Sequence, residues 1–428
     1  MLTLLDLRST PVEQLASRLP RPPGMGDLPL EAVGALLEQV RRDGDRALVE
    51  LAERFDKVHV SSLKVDPRLI ATAGSRIPPT LLAALEEAHR SIRDYHRHTM
   101  VSVPCYRSDG VEVEEIRRAV AAAGCYVPGG RARYPSSVLM TAVPAKVAGV
   151  ERVVVCTPPD PTGSVDDVTL AAAHVAGVDE VYAVGGAQAV AAMAYGTETI
   201  RPVDVVAGPG NVYVSVAQRL VSGTVGVPRS FAGPSEVVVV GDDTTDPHQA
   251  ALDVVVQAEH GPDGLAWLVT WNRAFAESVS KEVAAIVADS PRAAEIGSTL
   301  EKGGYAVVVD DPVAALAVSD AVAPEHLQLM CDRPEALVPL VKSAGAVFLG
   351  PWSPASVGDY MAGPSHVLPT YGSARFASVL GVDDFMTRIH TISVSREALG
   401  RIGPYVQEMA QAEGLVTHAR SVADRIEP

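Results

Sequence analysis

The stretch Val181–Asn211, VYAVGGAQAVAAMAYGTETIRPVDVVAGPGN, decides the fold. It opens on a short apolar run, Val181-Tyr182-Ala183-Val184, that stops at Gly185-Gly186. Gln188 to Tyr195 then reads as a helix, and Val203 to Ala207 as a second strand ending in Gly208-Pro209-Gly210-Asn211. Strand, glycine turn, helix, strand is the rhythm of βαβ units, and uninterrupted apolar runs suit parallel strands covered on both faces. Working outward, Val153–Cys156 is a strand ending in Thr157-Pro158-Pro159, followed by a helix near Ala171–Ala176. Toward the C-terminus, Val237–Val240, Ala266–Thr270, Ala306–Val309 and Ala346–Leu349 are further strands, with a helix over Pro247–His260. Sheets of this kind bind ligands beyond the carboxyl ends of their strands, where the glycine turns would lie.

The flanks read differently. A leader ends at Pro20-Arg21-Pro22-Pro23-Gly24, and Leu30 to Asp56 carries apolar residues at helical spacing, predicting two helices divided near Asp43-Gly44. Leu81 to His98 is a further amphipathic helix, and the tail after about Val382 also reads as helical. The expected class is therefore α/β, with two α/β layers and a helical start.

Composition narrows the function. With 36 Lys and Arg against 52 Asp and Glu, the net charge of −16 argues against nucleic acid as a partner. The four cysteines form no CxxC pair, so neither a disulfide framework nor a zinc ribbon is expected, and a reducing, cytoplasmic setting fits. No apolar run reaches membrane-spanning length, and the start meets Asp6 too early for a secretory signal.

Gln257 and His260, three apart on the expected helix, share a face and could bind one metal ion, although such pairs are more often surface or capping residues. Asp359 follows Gly358, and His418 lies in the tail; with Gln257 and His260 they would make an open site of N and O donors. Glu325-His326 follows Ala323-Pro324 and is expected to start or cap a helical segment. Adjacent acid and base are often accidental, yet this pair suits a reaction with two proton transfers. No G-x-G-x-x-G follows a strand. Three other turns could admit a phosphate: Tyr126-Val127-Pro128-Gly129-Gly130, Gly185-Gly186-Ala187-Gln188 and Gly208-Pro209-Gly210-Asn211. The remaining histidines and the cysteines read as surface or packing residues.

Several blocks, taken in order, resemble the histidinol dehydrogenase family. They include Gly124-Cys125-Tyr126-Val127-Pro128-Gly129-Gly130, Tyr134-Pro135-Ser136-Ser137-Val138-Leu139-Met140, Pro144-Ala145-Lys146-Val147-Ala148-Gly149-Val150, Gly185-Gly186-Ala187-Gln188-Ala189, Ala207-Gly208-Pro209-Gly210-Asn211 and Ala232-Gly233-Pro234-Ser235-Glu236. Gln257-Ala258-Glu259-His260-Gly261-Pro262-Asp263, Pro324-Glu325-His326-Leu327, Gly358-Asp359-Tyr360, His366-Val367-Leu368-Pro369-Thr370 and Glu413-Gly414-Leu415 with His418 complete the set.

The resemblance implies oxidation of L-histidinol to L-histidine through an aldehyde, with two NAD and one zinc per active site. It implies zinc held by Gln257, His260, Asp359 and His418, with the substrate's imidazole and amino nitrogens completing the shell. Glu325 and His326 would be catalytic: His326 takes the hydroxyl proton, and Glu325 activates water against the aldehyde. Ser235, His366 and Glu413 would meet the substrate beside the metal ligands and His326, while Tyr126, Gln188 and Asn211 would contact NAD. The implied architecture has an N-terminal arm (1–24), a main α/β domain (25–124 with 236–376) and a second Rossmann-like domain on the NAD side (125–235). A small, mainly helical C-terminal domain (377–428) crosses to the partner of a homodimer, so that His418 completes the partner's site. Thr141 stands where many members have Asn, and 226–231 departs from the usual lead into Ser235. Three alternatives stand beside it: a relative oxidising another polar alcohol, a zinc hydrolase using Glu325 on a metal-bound water, and a non-catalytic NAD-binding regulator, which the intact acid, base and ligands disfavour. The hydrolase would leave the glycine turns without a purpose.

Overall fold

Val237 and Val239 point into one core while Val238 and Val240 point into another, so the strand they form is covered on both faces. Its neighbours repeat the alternation: Ala266 and Leu268 join the first core, Trp267 and Val269 the second. This explains why the strands read as unbroken apolar runs. The computed structural model describes residues 2–20, 28–129, 133–228, 235–261 and 264–426, with the side chain of His260 outside that description. In chain order the strands are β1 (Thr3–Asp6), β2 (Tyr106–Ser108), β3 (Val111–Ala119), β4 (Ala122–Tyr126), β5 (Arg152–Thr157) and β6 (Glu180–Ala183). They continue with β7 (Val205–Ala207), β8 (Glu236–Gly241), β9 (Leu265–Thr270), β10 (Gly304–Val308), β11 (His326–Met330), β12 (Ala346–Leu349) and β13 (Met386–Val394).

Two compact units result. The first, Met1–Arg97 with Val120–Phe385, holds both parallel sheets. One has six strands in the order β1-β10-β9-β8-β11-β12, the other four in the order β6-β5-β4-β7. In the six-stranded sheet the chain leaves β8 toward β9 and β10, then returns to β8's other side as β11 and β12. The four-stranded sheet reverses likewise between β4 and β7, so each sheet has one switch point. The second unit, His98–Ala119 with Met386–Pro428, contains the antiparallel sheet β13-β3-β2 and the helices Arg396–Ala412 and Val416–Ile426. Among the described residues, no helix is long and apolar enough to cross a membrane.

The helix Leu30–Leu51 leaves helical geometry at Gly44, where a division was expected. Three local expectations change. Glu325-His326 starts no helix, because Ala323 closes the helix Pro312–Val322 in a left-handed conformation (φ 52°) and His326 opens β11 between β8 and β12. The helix over Pro247 ends at Val256, and Gln257–His260 is a 3-10 turn. The tail is not helical throughout: Met386–Val394, rich in Thr, Ile and Val, pairs as β13 along the whole of β3 before the two helices begin.

Candidate active site

The pairing of β8 with β11 sets His326 opposite Val237, so Glu236 and Glu325 approach each other at the amino ends of both strands. The Glu236 N–H donates to Glu325 Oε2 at 3.0 Å. His326 Nδ1 lies 3.1 Å from the Glu236 carbonyl, which can only accept, so Nδ1 carries the proton and Nε2 keeps its lone pair in the neutral ring. On that side Asp359 Oδ1 stands 3.6 Å away, and the ring lies 5.9 Å from Phe348, tilted by 31°. This cluster occupies the switch point of the six-stranded sheet, but at the amino ends of the strands rather than the carboxyl ends.

Glu236, Glu325 and His326 are thus buried together. Burial pushes the Glu325 carboxyl up to about 7, opposed by His326 and by the Glu236 amide and reinforced by Asp359. Burial and the neighbouring Glu325 charge push Glu236 up to about 8. Burial by itself would depress His326, but the Glu325 and Asp359 carboxylates outweigh it and hold the ring above its ordinary value.

The segment from Asp359 to Tyr371 joins this cluster to the other sheet. Asp359 belongs to the short helix Ala355–Tyr360, and its carbonyl accepts from His366 Nδ1 at 3.1 Å. His366 Nε2 then accepts from the Ser137 hydroxyl at 3.1 Å, and Ser365 Oγ donates to the Met140 carbonyl. Ser137 and Met140 lie on the helix Pro135–Ala148, which follows β4. At the segment's far end the Tyr371 N–H donates to Glu236 Oε1. Thr141, one turn after Ser137, spends its hydroxyl on the Ser137 carbonyl.

At the carboxyl ends of the four-stranded sheet, the three glycine turns converge on Tyr126. Its buried hydroxyl accepts from the Gly186 N–H at 3.1 Å, and burial pushes that phenol up to about 12. Gly208 (φ +123°) approaches so closely that a Cβ there would meet the Tyr126 carbonyl oxygen at 2.1 Å; only glycine fits. Asn211 caps the helix Val212–Val221, accepting from the Tyr213 and Val214 amides, while Gln188 is buried in the first turn of the helix Gly186–Tyr195. The convergence occurs at that sheet's switch point, and each expected cofactor contact also has a structural task.

Gln257 offers the clearest sign of an absent partner. Its side chain is 1% exposed, yet neither Oε1 nor Nε2 has a hydrogen-bond partner. Leaving such atoms unpaired costs about 1–3 kcal/mol. An amide oxygen aimed at a cation would relieve that cost, so Gln257 fits a metal-ligand role. The Tyr360 phenol, raised by burial, also feels the charges of Asp359 and Glu259, which brings the 3-10 turn and the Asp359 helix into one neighbourhood. The side chain of His260 lies outside the described residues. Among the described residues, no three His, Cys, Asp or Glu side chains gather in a way that could hold a metal.

Ser235 precedes β8 directly and accepts from the Leu265 N–H through its carbonyl. Glu413 and His418 belong to the second unit, on either side of a tight turn between its helices. There Gly414 takes φ +74°, and the Leu415 N–H returns to the Ala410 carbonyl. Two residues join the cluster without having been singled out for a role, Glu236 and Ser137. Glu236's signal was its place beside Ser235 at the start of an apolar run; Ser137 lies in the family-like block at 134–140, where nothing pointed to His366, 229 positions away.

The histidinol dehydrogenase family model matches residues 26–426. Histidinol dehydrogenase of Rhodospirillum rubrum is 48% identical over 400 residues, covering 92% of each chain. That of Parasynechococcus marenigrum is 46% identical over 395 residues, covering 92% of this chain and 90% of the relative. The crystal structure of histidinol dehydrogenase from Elizabethkingia anophelis superposes with a TM-score of 0.94 at 32% identity, covering 99% of this chain and 98% of that one.

Proposed function

The chain belongs to the histidinol dehydrogenase family, NAD-dependent oxidoreductases of the final steps of histidine biosynthesis, and from that premise we propose how its residues divide the work. The substrate is L-histidinol, and the observation that carries the reading is the buried His326, fixed in one tautomer by the Glu236 carbonyl. His326 takes the hydroxyl proton at Nε2 as the substrate carbon gives up hydride. Glu325, with Oε2 tied to the Glu236 amide, uses Oε1 to accept a proton from the water that adds to the aldehyde. His326 assists again in the second oxidation. Ser235, His366 and Glu413 hold the substrate, and Tyr126, Gln188 and Asn211 hold the cofactor.

Gln257, His260, Asp359 and His418 are the residues that would hold zinc; the ion, when bound, orients substrate nitrogens and NAD accepts hydride. Gln257's unpaired amide and the all-N,O donor set favour this ion, and an open site leaves room for substrate. The domain scheme 1–24, 25–124 with 236–376, 125–235 and 377–428 belongs to the same reading. So does a homodimer in which the C-terminal segment crosses, placing His418 in the partner's site, and a cytoplasmic location.

Purified, zinc-loaded protein given L-histidinol should produce two NADH per histidine formed. Absence of turnover under those conditions refutes the assignment. Glu325→Gln should separate the two oxidations, slowing the aldehyde step by about 10²-fold while the alcohol step falls much less. NADH would then exceed two per histidine as aldehyde escapes; equal loss in both steps would remove Glu325 from water activation.

A further inference from the structure

Glu236 is hydrogen-bonded to Glu325, to His326 and to the Tyr371 amide. Its amide fixes Glu325 Oε2, and its carbonyl fixes the His326 ring. Its Oε1 accepts from the Tyr371 amide, the end of the segment that carries Asp359 and His366. Tyr371 adopts φ 53°, unusual for a non-glycine residue, so its backbone depends on being held there. The remaining oxygen, Oε2, is buried with no hydrogen-bond partner on a side chain 1% exposed. A second bare carboxylate oxygen beside Glu325 would set two negative charges together in a low-dielectric space, opposed by His326 only when that ring is protonated.

We propose that Glu236 is a positioning residue that works as the neutral, protonated acid, so that the Glu236–Glu325 pair carries at most one negative charge and that charge resides on Glu325. The proposal rests on the roles given above to Glu325 and His326 and adds the group that keeps Glu325 available as a base. A proton on Oε2 removes the unpaired charge, while Oε1 still accepts from Tyr371. The groups facing the Glu236 carboxyl are Glu325, just before β11, His326, which opens it, and the Tyr371 amide from the segment beyond Asp359. Burial, the larger cause, and the Glu325 charge both favour the acid form; His326 and the two backbone hydrogen bonds oppose them.

Infrared spectroscopy of the full-length zinc-loaded enzyme at neutral pH tests the protonation directly and needs no substrate. A protonated-carboxyl C=O band should be present, vanish in Glu236→Gln and survive in Glu325→Gln. A band absent from the parent, or lost in Glu325→Gln but not in Glu236→Gln, overturns the proposal. Turnover tests positioning. Glu236→Ala should lower kcat by about 10²-fold with KM changed far less, since misplacing reacting groups by about an ångström costs that much. Glu236→Gln, which keeps the shape and neutrality of the acid, should recover most of that loss. A glutamine variant as impaired as the alanine one, with circular dichroism unchanged, would show that the charge is needed and sink the idea. Failure of the parent enzyme to oxidise L-histidinol would instead defeat the functional reading, leaving the infrared result to stand alone.

Discussion

Replacing His326 by alanine is expected to lower kcat by about 10²- to 10⁴-fold while leaving zinc content unchanged. The two carboxylates beside the imidazole, Glu325 and Asp359, each have another task in this scheme. Its Nδ1 is committed to the Glu236 carbonyl, and Nε2 is the basic atom of the neutral ring, turned toward Asp359. Glu325 is tethered through Oε2 to the Glu236 amide, so it cannot swing into the vacated place without breaking that bond. The metal should survive because His326 is not among the proposed ligands, although it stands 3.6 Å from one of them. The measurement is steady-state NADH formation together with metal analysis of the dialysed variant. Loss of zinc in His326→Ala would make His326 a ligand; wild-type turnover would remove it from the proton path. Packing is a concern because the ring lies against Phe348, so a near-native unfolding temperature must accompany the result.

Mixing two inactive variants should restore activity if the sites are shared. His260→Ala and His418→Ala would each remove one proposed zinc ligand and should each be inactive alone. In a mixed dimer one site would carry both changes and the other neither. Random exchange makes half the dimers mixed, so about a quarter of the parent activity should return. In the second unit Ile392, Tyr405, Met409 and Val416 are each exposed by about two thirds or more (70%, 71%, 67% and 71%), which suits the proposed pairing. Apolar side chains so exposed on one small unit are what a second copy would cover. No recovery after subunit exchange has been confirmed by mass spectrometry would rule out the crossover.

Much of the parallel-sheet architecture was legible because burial on both faces leaves a direct mark, an unbroken apolar run closed by glycine or proline. Val153–Cys156, Val181–Val184 and Val237–Val240 all became parallel strands on that mark. The charged run Val111–Ala119 left no such mark, and β3 exists because β13 pairs along its whole length. His326 was misplaced onto a helix because Ala323-Pro324 resembles a helix start. Its strand is imposed by neighbours 90 and 20 positions away, Glu236 and Ala346.

The sequence by itself determined the alternation of strand and helix, the glycine turns and, through its ordered blocks, the family. Those features are local: each depends on residues within a few positions, where steric limits and hydrophobic period act directly. Only the tertiary structure decided that His326 opens a buried strand with Glu325 just before it, that Glu236 holds both, and that Ser137 reaches His366. Such contacts depend on strand register and chain reversal, and an error of one residue would turn every side chain to the opposite face.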